Sequence, residues 1–274
     1  MKKLTLRISL ILGLFLILPF QSWGSFISNE HTLEIGFQLQ SIDYKEEHPF
    51  PYKSEEKGRA PGIHLSYKYR PKSQHLWTEL GLNSSSAEIT YDGSSQNILT
   101  GQFMGYQKDI SLFELLEIQA LLGYSVSRTT TDDLSIYFGI ESRTWHRSLS
   151  IKTPQNSYQE VYSSVYFPLG LRYDYELHQQ LHIGLDTALL LPVGTNFEIR
   201  GIMGIPSISN SLSTQTSWKI KLPIRYSLND QHGIAFTPFF QSLNFENSYI
   251  GYGFYEPSSQ TTHYGSQLSF FMKL

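Results

Sequence analysis

The chain has 274 residues, 40% of them hydrophobic and only 16% charged, with 21 basic against 24 acidic side chains and no cysteine. A formal charge of −3 leaves no basic surface for nucleic acid, and the lack of cysteine excludes a disulfide framework. The 18 tyrosines and 17 phenylalanines of so lightly charged a chain favour β-structure carrying many interfacial rings.

At the start of the chain, Lys2, Lys3 and Arg7 lead into the apolar run ISLILGLFLILPF, and Ser22-Trp23-Gly24 places small residues around a cut before Ser25. That three-part order predicts a cleaved secretory signal peptide over 1–24. A retained anchor fits less well, because about 13 apolar residues fall short of the roughly 20 that a spanning helix needs. No cysteine follows the cut, so lipidation there is excluded. The remainder, 25–274, is expected to be one β-barrel domain of charge −6, since three basic residues leave with the leader.

Period-two alternation then predicts strands at about 31–43, 62–71, 75–91, 113–125 and 133–147, followed by 159–177, 181–192, 214–228, 233–246 and 260–274. The sixth and seventh carry the pattern most plainly. Phe167, Leu169, Leu171, Tyr173, Tyr175 and Leu177 share one parity, with Pro168, Gly170, Arg172, Asp174 and Glu176 between them. After His178-Gln179-Gln180 the alternation restarts, with Leu181, Ile183, Leu185, Leu189 and Leu191.

The connections alternate too. KSQ, SRTTTD, HQQ and NDQH are short and polar, whereas 44–61, 92–112, 148–158, 193–213 and 247–259 are long. A sandwich has no reason to alternate in this way; an up-and-down outer-membrane barrel has short periplasmic turns and long external loops. The fold class is therefore all-β, a ten-stranded antiparallel up-and-down transmembrane barrel with both ends on the periplasmic side. An eight-stranded barrel would require the first and fourth segments to be loops. Tyr67, Tyr69, Tyr124, Tyr173, Tyr175 and Tyr226 lie on the apolar parity just before short turns, where an interfacial aromatic belt is expected. The chain ends with Tyr264, Leu268, Phe270, Met272 and Leu274 on one parity, in the manner of a terminal barrel strand.

TYDG (90–93), LLEIQALLGY (115–124), YFPLGLRYDYEL (166–177) and GYGFYEPSSQTTHYGSQLSF (251–270) together resemble a family of small proteobacterial outer-membrane β-barrel proteins of unestablished activity. The resemblance runs in order over most of the chain beyond the leader. It implies the barrel, outer-membrane lipid as its surroundings and the barrel-assembly machinery as its partner in biogenesis. Its motifs are strand and loop signatures and imply no chemistry.

If the apolar parity faces lipid, the other parity faces the lumen. It carries Glu34, Glu79, Glu117, Glu141, Asp174 and Asp186 against Lys68, Arg70, Arg143, Arg172, Lys219, Lys221 and Arg225. A ten-stranded barrel is little wider than the size that side chains just fill, so a lumen plugged by charge pairs is expected, with Trp77, Gln119 and Tyr137 among them. A narrow ion or small-solute pore is the alternative.

For catalysis, His146, Glu246 and Glu256 are the candidates, with Asp92 and His263 also near the outer rim. Ten-stranded proteases of the omptin type use acid pairs and an Asp–His pair there. Those motifs do not map onto this chain: Asp132-Asp133, its one adjacent Asp pair, falls in a predicted periplasmic turn, and His146 has outward parity. No G-x-S-x-G elbow supports a lipid esterase, and the scattered histidines form no metal motif, so neither metal nor cofactor is expected. The reading is a non-enzymatic barrel, structural or contacting a ligand or host through loops such as 43–62 and 247–265, whose Tyr, Ser, Gly and Asn make adaptable surfaces, with 196–213 and its Ile and Met residues as a short lid over the mouth.

Overall fold

The computed structural model describes residues 29–47, 52–71, 74–96, 103–149, 158–201, 207–251 and 254–274. The expected signal peptide, 1–24, lies outside them. Seven long strands open the fold: β1 (Asn29–Glu46), β2 (Ser54–Pro71), β3 (Leu76–Gln96), β4 (Phe103–Arg128), β5 (Asp132–Leu149), β6 (Tyr158–His178) and β7 (Leu181–Arg200). Three short ones follow, β8 (Ile208–Leu212), β9 (Ser217–Lys221) and β10 (Ile224–Ser227), then β11 (His232–Phe245), a small hairpin β12 (Ser248–Gly251) and β13 (Phe254–Glu256), and β14 (Ser259–Lys273).

All pairings are antiparallel, and β14 returns to β1 with Ile35 opposite Phe270, so the sheet closes on itself. Segments β8, β9 and β10 share one register on β7: Asn196 faces Ser211, Asp186 faces Lys221 and Ile183 faces Ile224. They occupy one position in the wall, which makes a closed ten-stranded barrel, and both the first and fourth predicted segments are wall strands. The single strand expected at 214–228 is thus corrected to two pieces, β9 and β10, and β8 adds a third from within the expected loop 193–213. Pro223 has no N–H to give, and there the ladder is carried instead by Gly184 N–H donating to the Pro223 carbonyl (2.7 Å) and Leu222 N–H to that of Pro238 (2.9 Å).

The strands are longer than the sequence pattern indicates. The 26 residues of β4 extend to roughly 85 Å, far more than the about 30 Å hydrocarbon layer requires even with tilt. Much of the expected loops 44–61, 92–112 and 193–213 is therefore strand, including most of the proposed lid at 196–213, of which 202–206 lie outside the described residues.

Both faces of the wall change polarity at one height. Going up β1, the outward residues Ile35, Phe37 and Leu39 are exposed apolar side chains, followed by Ser41, Asp43 and Lys45. The inward residues run the other way, from Glu34, Gln38 and Gln40 to Ile42 and Tyr44, all buried. On β5, outward Ile136, Phe138 and Ile140 give way to Ser142, Thr144 and His146, while inward Glu141 and Arg143 give way to Trp145. An exposed apolar band around a polar inside suits lipid, and a polar outside around an apolar inside suits water. The barrel thus stands partly in a bilayer and partly above it. On β7 the swap needs a β-bulge: Val165 faces Gly194 and Tyr166 faces Pro192, so the extra residue Val193 shifts the inward parity and turns Phe197 and Ile199 inside.

Candidate functional site

The lumen is the place where functional side chains gather, and it has three storeys. The lowest is nearest the short turns. Arg172 on β6 donates from Nη1 to Glu79 Oε2 (2.7 Å) and from Nη2 to Asp186 Oδ2 (2.7 Å). Tyr137 donates its hydroxyl to the other Asp186 oxygen at 2.5 Å. The guanidinium lies 4.7 Å from the Trp77 ring centre, and Lys68 Nζ is 4.8 Å from the same ring. Trp77 can lie against the wall because Gly123 is beside it: a Cβ there would meet the indole at 2.1 Å. Arg225 reaches Glu34 and Asp174, each at 3.7 Å, and Arg70 pairs with Asp133. A cavity of about 210 Å³ opens among these groups.

In the middle storey, Lys219 donates to Glu141 (2.5 Å) and Arg143 to Glu117 (2.5 Å). Arg143 Nη2 also donates to His263 Nε2 (2.7 Å), which assigns the ring proton to Nδ1, facing Gln40 Oε1 at 3.3 Å. Gln119 joins Glu79 below to Lys219. A small polar cavity of about 30 Å³ remains between Gln38, Gln40, Gln119 and Gln241, room for a water molecule.

The upper storey, above the lipid band, is different. Phe113, Trp145, Tyr162, Tyr166, Leu190, Phe197, Leu243 and Phe245 fill the bore and are all buried. Trp145 stacks on Tyr162 at 4.8 Å, and Tyr162 lies 4.7 Å from Phe197 and 5.9 Å from Phe245. Each such side chain contributes about 1.5–3 kcal/mol of hydrophobic stabilisation.

Directly on this layer rests Arg147, 1% exposed, with its guanidinium 4.4 Å from the Tyr44 ring. It pairs with three carboxylates: Glu160 at 2.7 Å, Glu56 at 3.1 Å and Glu46 at 3.3 Å. Burial opposes the Arg147 charge, but Glu160 and Glu56 outweigh it and hold the guanidinium well above its ordinary pKa. Burial pushes the Glu160 carboxyl up; Arg147 draws it back, and the repulsion of Glu46 and Glu56 leaves it raised. Burial likewise pushes Tyr91, nearby, up to about 12.

The residues singled out from the sequence fall as follows. Glu34, Arg70, Glu79, Glu117, Glu141, Arg143, Arg172, Asp174, Asp186, Lys219 and Arg225 all make lumenal ion pairs, while Lys221 lines both cavities with no carboxylate within 4.0 Å among the described residues. The belt tyrosines are on the outer face near the short turns: Tyr67 bonds His31 Nδ1 at 2.5 Å, Tyr226 donates to Gln180 at 3.0 Å, and Tyr124 stacks on His75. Among the described residues the rim candidates do not come together. His146 is on the outer face of β5 beside Gln159, Glu246 receives a hydrogen bond from Gln215 past the end of β11, and the side chain of Glu256 lies outside the described residues. Asp92 pairs with Lys53 and Lys108 at the surface, and His263 is enclosed in the lumen. Sequence reasoning missed Arg147, its three acids and the aromatic storey. The available signal was the phase of the alternation, which flips between Leu39 and Ile42 and again between Ile140 and Trp145.

No family model matches the chain, and no curated protein sequence does either. Among solved structures, it is similar to the outer membrane protease OmpT from Escherichia coli, with a TM-score of 0.71 and 9% identity over 91% of this chain and 98% of that one. The outer membrane protein OprG from Pseudomonas aeruginosa (TM-score 0.43, 12% identity, 90% and 96% covered) and the toluene transporter TodX from Pseudomonas putida (0.38, 9%, 89% of each) are more distant. The chain has the fold of an outer-membrane β-barrel. At this identity the likeness extends to the fold alone.

Proposed function

We propose that the protein is a sealed, non-enzymatic barrel of a Gram-negative outer membrane that acts through its external end as a contact surface. It would be delivered by its leader and inserted by the barrel-assembly machinery. The observation that carries this reading is the aromatic storey: a buried layer from Phe113 to Phe245 stands between the polar lumen and the outer rim. An ion crossing it would shed its hydration with no compensating charge, which makes a poor pore.

The wall strands stand clear of lipid and present Pro/Gly-broken connections, which suits contact with a ligand or a host surface. Wild-type protein in planar bilayers is expected to give no steady single-channel steps, whereas the combined Trp145→Ala and Phe197→Ala variant gives them. Steady conductance by the wild type overturns the sealed reading. Replacing the 48–51 tip while keeping the barrel folded is expected to change adhesion of expressing cells; unchanged adhesion for this and the other four tips overturns the contact reading.

A further inference from the structure

The lowest storey has an imbalance that the sealed-barrel reading does not use. Four carboxylates line the 210 Å³ cavity: Glu34, Glu79, Asp174 and Asp186. Two arginines take all four, Arg172 bridging Glu79 and Asp186 and Arg225 bridging Glu34 and Asp174. Lys68 and Lys221 also line the cavity, and among the described residues neither has a carboxylate within 4.0 Å or a hydrogen-bond acceptor. Lys68 Nζ stands over the Trp77 ring, 4.8 Å from its centre. A third ammonium, the exposed Lys273, stands at the mouth. The lining thus holds five cations against four acids, with the acids already engaged.

We propose that this cavity is a binding site for a small phosphate-type oxyanion, free or as a phosphomonoester, entering from the periplasmic side. Each ammonium carries three donors, and a phosphate offers enough acceptors to meet Lys68 and Lys221 together. The Ser66 and Thr237 hydroxyls in the same lining can bond the remaining oxygens. The volume is about seven times the share of one liquid water, enough for a phosphate with a short carbon substituent. A cation is disfavoured, because every acid here has an arginine partner. A route to the outside is closed by the aromatic storey, so the site binds rather than conducts.

The test is calorimetric titration of the detergent-solubilised, folded protein with inorganic phosphate and with glycerol 3-phosphate. Saturable millimolar or tighter binding is expected, weakened about tenfold or more by Lys221→Met and by Lys68→Met. The outer-surface variant Lys57→Met leaves it unchanged. In wild-type protein, phosphate is expected to protect Lys68 and Lys221, but not Lys57, from acetylation read by mass spectrometry, a readout that needs no variant to fold. Absence of saturable binding at tens of millimolar phosphate, wild-type affinity in the two lumenal lysine variants, or uniform lysine reactivity overturns the proposal.

Discussion

Arg147 and Arg172 are both nearly inaccessible arginines on lumenal faces, and each bridges carboxylates from other strands, but their surroundings differ. Arg172 has two acids, and beside it lies a cavity of about 210 Å³ with two ammoniums. Arg147 has three acids and sits on packed rings. Around Arg172, water can enter to hydrate whatever is left when a partner is lost. Around Arg147 the aromatic layer prevents this, so the electrostatics of the upper storey is carried by one side chain. The difference teaches that the cost of a broken lumenal pair depends less on the pair than on the room for water beside it.

The largest expected effect follows from removing that side chain. Arg147→Met leaves Glu46, Glu56 and Glu160 facing one another and is expected to cost about 3–5 kcal/mol, the usual penalty for stranding a buried charge. It is read as a lower temperature for conversion of the folded to the unfolded band on heated gels. Arg172→Met should cost clearly less, since Lys68, Lys221 and water remain beside Glu79 and Asp186. An equal or larger loss for Arg172→Met would break the comparison. Next in size is packing. Leu190, wholly buried in the aromatic storey, is expected to cost about 3 kcal/mol when truncated to Ala. Thr237→Ala in the wet storey should cost about 1 kcal/mol or less.

A smaller effect sharpens the same contrast through pH. Because the folded state raises the Glu160 pKa, it binds that proton more tightly than the unfolded chain does. The corresponding stability is therefore complete below the ordinary Glu value and is lost as pH rises from there through the raised one. The conversion temperature should rise on mild acidification, and Glu160→Gln should flatten that response. A conversion temperature that falls over the same window, or that keeps its slope in Glu160→Gln, would remove the raised Glu160 pKa from the account.

How far the sequence carries the reader differs between the storeys in the same way. The wall within the lipid band was legible because alternation is a nearest-neighbour property: Phe167 to Leu177 on one parity requires nothing from the rest of the chain. Lumenal identity was legible from the same parity, but not which acid meets which base; Arg143 meets His263 across 120 positions. Most residues of the upper storey, among them Phe113, Trp145, Tyr162, Leu190 and Phe245, fall within predicted strands, but their inward apolar layer was not read, and the strand ends carrying Tyr44 and Phe197 were read as loop. There the alternation continues in reversed phase, as in Ile42 and Tyr44, and a phase reversal looks like the end of a strand when one face is assumed to stay apolar throughout. The Val193 bulge depends on how β6 and β7 pair, and local sequence does not specify it.

The smallest effect concerns a third cation, and it completes the comparison. Lys53 lies between Glu55 at 3.5 Å and Asp92 at 3.2 Å, the same arrangement of one cation and two acids as at Arg172. Its side chain is 38% exposed at the outer rim, however, with solvent on one side. Water screens the attraction and rehydrates both acids when the ammonium goes, so Lys53→Ala is expected to change stability by less than about 1 kcal/mol, and by still less in high salt. If burial beside packed rings governs these pairs, the losses should fall in the order Arg147, Arg172, Lys53, following the access of water and not the number or closeness of the acids. A Lys53→Ala loss approaching that of Arg172→Met would mean that counting partners is the better guide. It would also mean that the dryness of the upper storey contributes less to holding Arg147 in place than its three carboxylates do.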